Sequence, residues 1–345
     1  MRICQVMLAR GFGGAERYFV DLCRELAVRG HDILAVCHPA GTAAGLLANV
    51  AGITVRGLAT AGSWDPLAPW RLRGFIRRWS PTLVHAHLAR AAYLAGKAQP
   101  DGVPLVAKTH NYVDLKYYRR VHCFIATTDD QREHLLRSGI ATAAVVVIPN
   151  FSALSPVLAP APASTRVILA CAGRLVRKKG FDVLLRAMAH LQQQGMTVPV
   201  LLFGDGPMRQ ELEALAQALG VAGQVQMPGW QQDMAAALDR CSVFVLPSLD
   251  EPFGIVLLEA MARGKPIITT ATAGPGSILS GAEACFVRPG DSAALAEAIR
   301  ALAENPAHAD ALAAAALRRF NDEFSAAVVV PRIEALYRRL TGSTQ

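Results

Sequence analysis

The sequence predicts an α/β protein made of two doubly wound units with mostly parallel sheets. Three observations predict it. At 345 residues the chain holds about two domains of ordinary size. Short, near-continuous apolar runs alternate with stretches of helical period, the pattern of strands buried on both faces of a parallel sheet. The alternation stops once, at an uncharged segment bearing Pro156, Pro160 and Pro162, and then restarts.

The first strand is ICQVMLA (3–9), followed by a glycine turn and a helix over 15–30 closed by Gly30. DILAVCH (32–38), TLVHAHL (82–88), PLVAKTH (104–110), HCFIATT (122–128) and AAVVVIPN (143–150) are the next strands. FSALSPVLAPAPAST (151–165) is a linker. Beyond it, TRVILACAG (165–173), VPVLLFGDG (198–206), VQMPG, CSVFVLPS and KPIITTAT supply strands. Helices fall at 181–195, 207–220, 254–262, 294–305 and 308–320, with a last one at 328–341 entered through Pro331. The expected division is 1–155, 166–327 and a terminal segment 328–345 that returns to the first unit.

Composition narrows the function. The 52% hydrophobic content supports two sizeable cores, and near-average glycine and proline exclude fibrous and disordered classes. The start reads as a strand rather than a leader, and no apolar run is long enough to span a bilayer. The seven cysteines are scattered without a Cys-x-x-Cys pair, as small buried hydrophobes in a reducing compartment. The charge is uneven: residues 1–165 carry 18 Lys/Arg against 10 Asp/Glu, whereas 166–345 carry 17 of each. A basic first half suits an anionic acceptor or an anionic membrane surface. Nothing in the spacing suggests nucleic-acid binding.

Gly11, Gly13 and Gly14 sit between the first strand and the first helix, where glycine permits a tight turn and close approach of a ligand. Glu16 breaks the G-x-G-x-x-G fingerprint, which argues against a dinucleotide site. A bare turn and a loop touching sugar or phosphate both remain, and the second is preferred. GRLVRKKG (173–180) places Arg174, Lys178 and Lys179 just after a strand, where cations can neutralise a diphosphate; a solvated basic loop is the plain alternative. FGDGP (203–207) and MPGW (227–230) are further strand ends on the same crevice. EPFGIVLLEAMARGKP (251–266) combines Glu251 and Glu259, eight apart, with a helix N-terminus able to offer free amides to phosphate. From the residues alone Glu259 is a surface helix acid; it is also placed to take hydrogen bonds from vicinal hydroxyls.

From GRLVRKKG through LLFGDGP and MPGW to LPSLDEPFGIVLLEAMARGKPII, the chain resembles glycosyltransferase family 4, retaining enzymes of GT-B fold. The resemblance spans nearly the whole chain. It implies two Rossmann-like domains facing each other across a cleft, with the acceptor on the first and the nucleotide sugar on the second. It implies that Gly13 and Gly14 lie beside the donor diphosphate and sugar, and that His110 of KTHN lies near the transferred sugar. Arg174 and Lys179 become the diphosphate clamp. Glu251 meets the sugar hydroxyls, and the amides of Gly254, Ile255 and Val256 face the sugar and phosphates. Glu259 binds the ribose, and Gly204, Met227 and Pro228 belong to the nucleotide side. Phe151 stands where glycine is frequent, and the 270–291 segment departs from the usual loop, with Glu283 in a shifted position.

The implied reaction is metal-independent transfer of a hexose from a nucleotide-diphosphate donor, UDP by frequency, to an envelope glycan or lipid-linked acceptor such as lipopolysaccharide core. No Asp-x-Asp metal segment is present. His85 and His87 alternate on one strand, with His87 either near the acceptor or structural. PWRLRGFIRRWSP (69–81) and LKYYRR (115–120) form basic, aromatic stretches that suit an anionic membrane, or else a solvated face whose aromatics serve the core. The expected location is the cytoplasm, with association to the inner face of its membrane left open. A non-transferring sugar-nucleotide hydrolase or epimerase, and a degenerate transferase acting as a binding protein, are the competing readings.

Overall fold

The structure, a computed structural model, describes residues 1–60, 65–162 and 167–342. The chain divides into two compact units. One comprises Met1–Ala153 with Ala326–Gln345, and the other is Leu154–Ser325.

The first unit is a seven-stranded sheet: β1 (Arg2–Met7), β2 (Asp32–Cys37), β3 (Ile53–Gly57), β4 (Leu83–His87), β5 (Leu105–Lys108), β6 (Cys123–Ala126) and β7 (Val145–Val147). All pairings are parallel, in the order β3-β2-β1-β4-β5-β6-β7. The order reverses between β1 and β4, and such a switch point opens a crevice at the strands' carboxyl ends. Strand side chains alternate between the two faces. Cys4, Val6, Val84, Ala86 and Ala107 enter one apolar core, under the helices Ala68–Trp79 and Leu88–Ala98. The opposite positions carry Gln5, His85, His87 and Lys108, all fully buried. Register sets Gln5 against His85, and His87 against Lys108.

The Gly14–Val28 helix supplies Tyr18 and Phe19 to the imidazoles of that second face. The last helix, Ala326–Thr341, adds Tyr337, which bonds Gln5 and His85. The last helix also bonds His31 through Glu334 and the Val147 carbonyl through Arg332. It begins at Ala326 and runs through Pro331 rather than being entered there. Proline that near a helix start forfeits one backbone bond and keeps a helical φ.

The second unit is a six-stranded parallel sheet: β8 (Leu169–Ala172), β9 (Val200–Phe203), β10 (Val225–Gly229), β11 (Val243–Leu246), β12 (Ile267–Thr270) and β13 (Cys285–Val287). The order is β10-β9-β8-β11-β12-β13, with its switch point between β8 and β11. The linker reading needs revision over 154–160. Leu154 packs on the second core, Val157 N–H donates to the Ala262 carbonyl, and Pro160 lies under Gly264. These residues are apolar and find a surface, so they join the second unit; 163–166 lie outside the described residues.

Candidate active site

In the second unit the candidate residues gather where β8 and β11 diverge. Lys179 ends the loop after β8, and its ammonium pairs with the Glu251 carboxylate beyond β11. Both groups are largely buried. Ser248 Oγ donates to the same carboxylate oxygen at 3.4 Å. Arg174 is exposed on this loop. Lys178 lies 3.9 Å from Asp250, and Arg177 bonds Asp182 and Glu211. One lysine of the basic run is therefore drawn into the site while its neighbours stay at the surface.

Gly254 caps the Ile255–Ala262 helix with φ +95°, a conformation that a side chain rarely adopts. The first amides of this helix have no intrahelical acceptors, so Ile255 and Val256 present N–H groups where an anion can take them. Glu259, one turn on, is buried at 4% exposure, which corrects the surface-acid reading. A carboxylate so placed needs a compensating polar or electrostatic interaction, and Glu259 has one.

Gly204 has a structural reason to be glycine. At φ +123°, a Cβ would lie 2.0 Å from the Gly173 carbonyl oxygen, and its N–H donates to the Gly229 carbonyl at 2.9 Å. Its amide is thus already satisfied by the protein. The Met227 carbonyl accepts from Arg209 at 2.6 Å, while Pro228 is exposed beside it. Glu283 stays in its own loop, accepting from Ser280 and pairing with Arg319.

In the first unit Gly13 caps the Gly14–Val28 helix in extended backbone, and its N–H donates to Glu16 at 2.9 Å. The residue that breaks the dinucleotide fingerprint is thus the helix's capping acid. A cavity of about 740 Å³ lies at the carboxyl ends of β1, β4 and β5, lined among others by Arg10, His87, Arg90, Asn111 and Tyr117. Arg10 bonds His38 and the Thr60 carbonyl, and Arg90 bonds the Leu8 carbonyl.

His110 follows β5 with φ +59°, and Leu88 follows β4 with φ +68°. Two non-glycine residues in left-handed backbone at the same sheet edge mark a locally strained site. His110 stacks edge-on against Tyr18 at 5.3 Å and meets His87 at 3.2 Å. Burial pushes His87 down to about 3, with the nearby Lys108 charge adding to it. His85 and His110 are held well below the usual histidine range, by burial first and then by their cationic neighbours. Lys108 is lowered to about 7 by burial and then by Arg332; its ammonium donates to the Ile148 carbonyl at 2.8 Å and lies over the Tyr18 ring. Phe151 fills the other side of Tyr18 at 5.1 Å.

Gln5, Lys108 and Tyr337 were not among the sequence candidates. Gln5 had a visible signal, one polar residue inside the apolar run ICQVMLA, and Lys108 a weaker one, a charge closing the strand of PLVAKTH. Tyr337 had none, because it reaches Gln5 from 332 positions away. Among the described residues no cluster of three His, Cys, Asp or Glu side chains is arranged to hold a metal ion, and no helix is long and apolar enough to cross a membrane.

Two Rossmann-like units, each a parallel sheet with a strand switch point, define the GT-B fold. Residues 12–154 match Glycosyltransferase Family 4, and residues 159–319 match Glycosyl transferases group 1. The chain belongs to the GT-B glycosyltransferases. It is 32% identical over 295 residues to the lipopolysaccharide core biosynthesis glycosyltransferase LpsE of Rhizobium meliloti (strain 1021), covering 83% of this chain and 84% of that one. LpsD of the same organism, which carries the same description, is 30% identical over 335 residues, 95% of each chain. Among solved structures, Anabaena Alr3699/HepE in complex with UDP superposes with a TM-score of 0.84 at 22% identity, over 98% of this chain and 100% of that one. The lipopolysaccharide outer core galactosyltransferase WaaB superposes at 0.72 and 18% identity, over 98% and 99%. These two likenesses establish the fold.

Proposed function

We propose that this enzyme transfers a hexose from a UDP-sugar to a lipopolysaccharide-core or related envelope glycan, with retention at the anomeric carbon. The observation that carries the reading is the second unit's switch point. There a buried Lys179–Glu251 pair, the open N-terminus of the Ile255–Ala262 helix and the buried Glu259 stand together. That set suits an anionic leaving group attached to a ribose. Lys179, Arg174 and the helix amides stabilise the charge that builds on the diphosphate. Glu259 accepts hydrogen bonds from the ribose hydroxyls. Glu251, tied to Lys179, orients the sugar rather than attacking it.

The sugar's bond to the diphosphate oxygen breaks and a bond to the acceptor oxygen forms on the same face. The acceptor proton passes to the departing phosphate oxygen. His110 orients the transferred sugar. The first unit's cavity takes the acceptor. UDP as the donor nucleotide is supported by HepE, which has been solved with UDP and with UDP-glucose, and the core glycan by the descriptions of LpsE and LpsD.

Association with the inner face of the cytoplasmic membrane belongs to the Ala68–Trp79 helix. Its Leu72 and Ile76 are buried, Phe75 and Trp79 pack on the core, and Arg71, Arg73, Arg77, Arg78 and Trp70 face outward. The 115–120 stretch contributes less, since Tyr118 is buried in the core.

Calorimetry with UDP, GDP, ADP and NAD tests the donor assignment. One diphosphate, UDP, is expected to bind in preference. Glu259→Gln should weaken it about 10- to 100-fold, the scale of hydrogen bonds to a charged group. Equal weak binding of all four, or no effect of the substitution, defeats the assignment.

A further inference from the structure

The buried polar face of the first sheet contains five side chains in one unbroken line: His110, His87, Gln5, Tyr337 and His85. Distances along it are 3.2 Å from His110 Nε2 to His87 Nδ1, 2.8 Å from His87 Nε2 to Gln5 Oε1, 3.2 Å from Gln5 Nε2 to Tyr337 Oη, and 2.6 Å from Tyr337 Oη to His85 Nδ1. All lie at 6% exposure or less. Burial, with the Lys108 charge beside them, keeps the three imidazoles neutral, so each ring carries one N–H.

Proton positions then follow one from another. The Gln5 carbonyl oxygen only accepts, so His87 holds its proton on Nε2. His87 Nδ1 is therefore bare and accepts from His110 Nε2–H. At the other end, the Gln5 amide nitrogen only donates, so Tyr337 Oη accepts from it and gives its own single proton to His85 Nδ1. Every member donates in the same sense, from His110 toward His85. Turning the Gln5 amide over would reverse all four bonds together.

We infer that this one-way chain fixes His110 as the Nε2–H tautomer and leaves its Nδ1 lone pair as an acceptor for a ligand hydroxyl, making Gln5, His87 and Tyr337 positioning residues for His110. The use of that lone pair rests on the reading of His110 as the residue that orients the transferred sugar. The ring has little freedom to compensate. Its backbone is left-handed, Tyr18 holds its edge, and its neighbours Thr109 and Asn111 line the cavity. An acceptor nitrogen reads a hydroxyl and rejects a ligand that offers only an ether or carbonyl oxygen there. The chain also gives the last helix a part in the site, because Tyr337 is the link between Gln5 and His85.

The test is a long-range proton–nitrogen spectrum of the full chain labelled with ¹⁵N-histidine, the His110 signals being identified by their loss in His110→Gln. In the unsubstituted enzyme Nε2 should be the protonated, pyrrole-like nitrogen and Nδ1 the bare one. Gln5→Met removes the link and Tyr337→Phe frees the amide to turn while keeping the ring. Each should give a mixture of tautomers and a kcat lower by about 10- to 100-fold, the scale of losing a fixed orientation, with UDP affinity unchanged. A proton on Nδ1 in the unsubstituted enzyme overturns the inference, whatever Gln5→Met and Tyr337→Phe do. A tautomer unmoved in both variants overturns it as well. Sugar transfer unaffected by His110→Gln, with the Nε2–H tautomer in place, would remove the sugar-orienting reading and leave the chain itself standing.

Discussion

Acid should unfold the first unit well before it unfolds the second. His85, His87 and His110 are uncharged in the folded state, and their pKa values lie far under the value of about 6.5 that an unfolded chain gives. Below pH 6.5 the unfolded chain therefore binds protons that the folded one refuses, and stability falls as pH falls. Between pH 7 and pH 5 each such ring costs about 1.9 kcal/mol, so three cost about 6 kcal/mol. Asp21 acts in the opposite sense. Burial raises it to about 6, so the folded state binds its proton first and regains about 1.4 kcal/mol over the same interval. The net loss of about 4 kcal/mol is a large share of the roughly 5–15 kcal/mol typical of a domain. The assay is urea unfolding of Trp230→Phe, which leaves tryptophans only in the first unit, followed by fluorescence at pH 7 and pH 5. His85→Gln in that background should shrink the pH-dependent loss by nearly half, whatever it does at pH 7. A stability that does not change between the two pH values, or a loss that His85→Gln leaves intact, would refute the neutral-cluster argument.

Three further outcomes are expected. Gly204→Ala forces a Cβ to 2.0 Å from the Gly173 carbonyl, so it should destabilise the second unit by about 3–5 kcal/mol, read from Trp230 fluorescence during urea unfolding. Lys179→Met leaves the buried Glu251 without its cation and should cost about 3–5 kcal/mol, whereas Lys179→Met with Glu251→Gln should recover most of that in the same assay while sugar transfer stays lost. Trp70→Ala with Arg77→Glu and Arg78→Glu changes only exposed groups, so it should abolish sedimentation with phosphatidylglycerol vesicles and leave UDP affinity unchanged; unaltered sedimentation would remove this helix as the membrane contact.

The strands visible in the sequence are those with two buried faces. β1, β4 and β11 are apolar runs because helices cover both sides of them. β3 and β13 escaped notice for the opposite reason. They are edge strands with one partner each, and β3 carries exposed Thr54 and Arg56 where an interior strand would be apolar. Short helices such as Thr42–Leu47 and Met234–Asp239 span too few residues for a helical period to show. At the site, the basic loop and the Glu251–Glu259 helix were visible as local strings. Which of the cations would turn inward was not, since Lys179 differs from Lys178 only in what β11 brings toward it. The His110 chain was the least visible part. Its spacing is written in sheet register and in a helix that arrives from the far end of the chain, and neither is a property of nearby residues.

That late arrival has a consequence for how the protein is made. The second unit is one continuous stretch, 154–325, and has all its parts as soon as it leaves the ribosome. The first unit emerges earlier yet stays unfinished, with Gln5 and His85 on its polar sheet face lacking Tyr337 until residues 326–341 are translated. During that wait Gln5 and His85 lack the hydroxyl that joins them in the finished fold. A chain cut short before the last helix would therefore keep a wet, histidine-lined surface, one that protease or chaperone can tell apart from the finished enzyme.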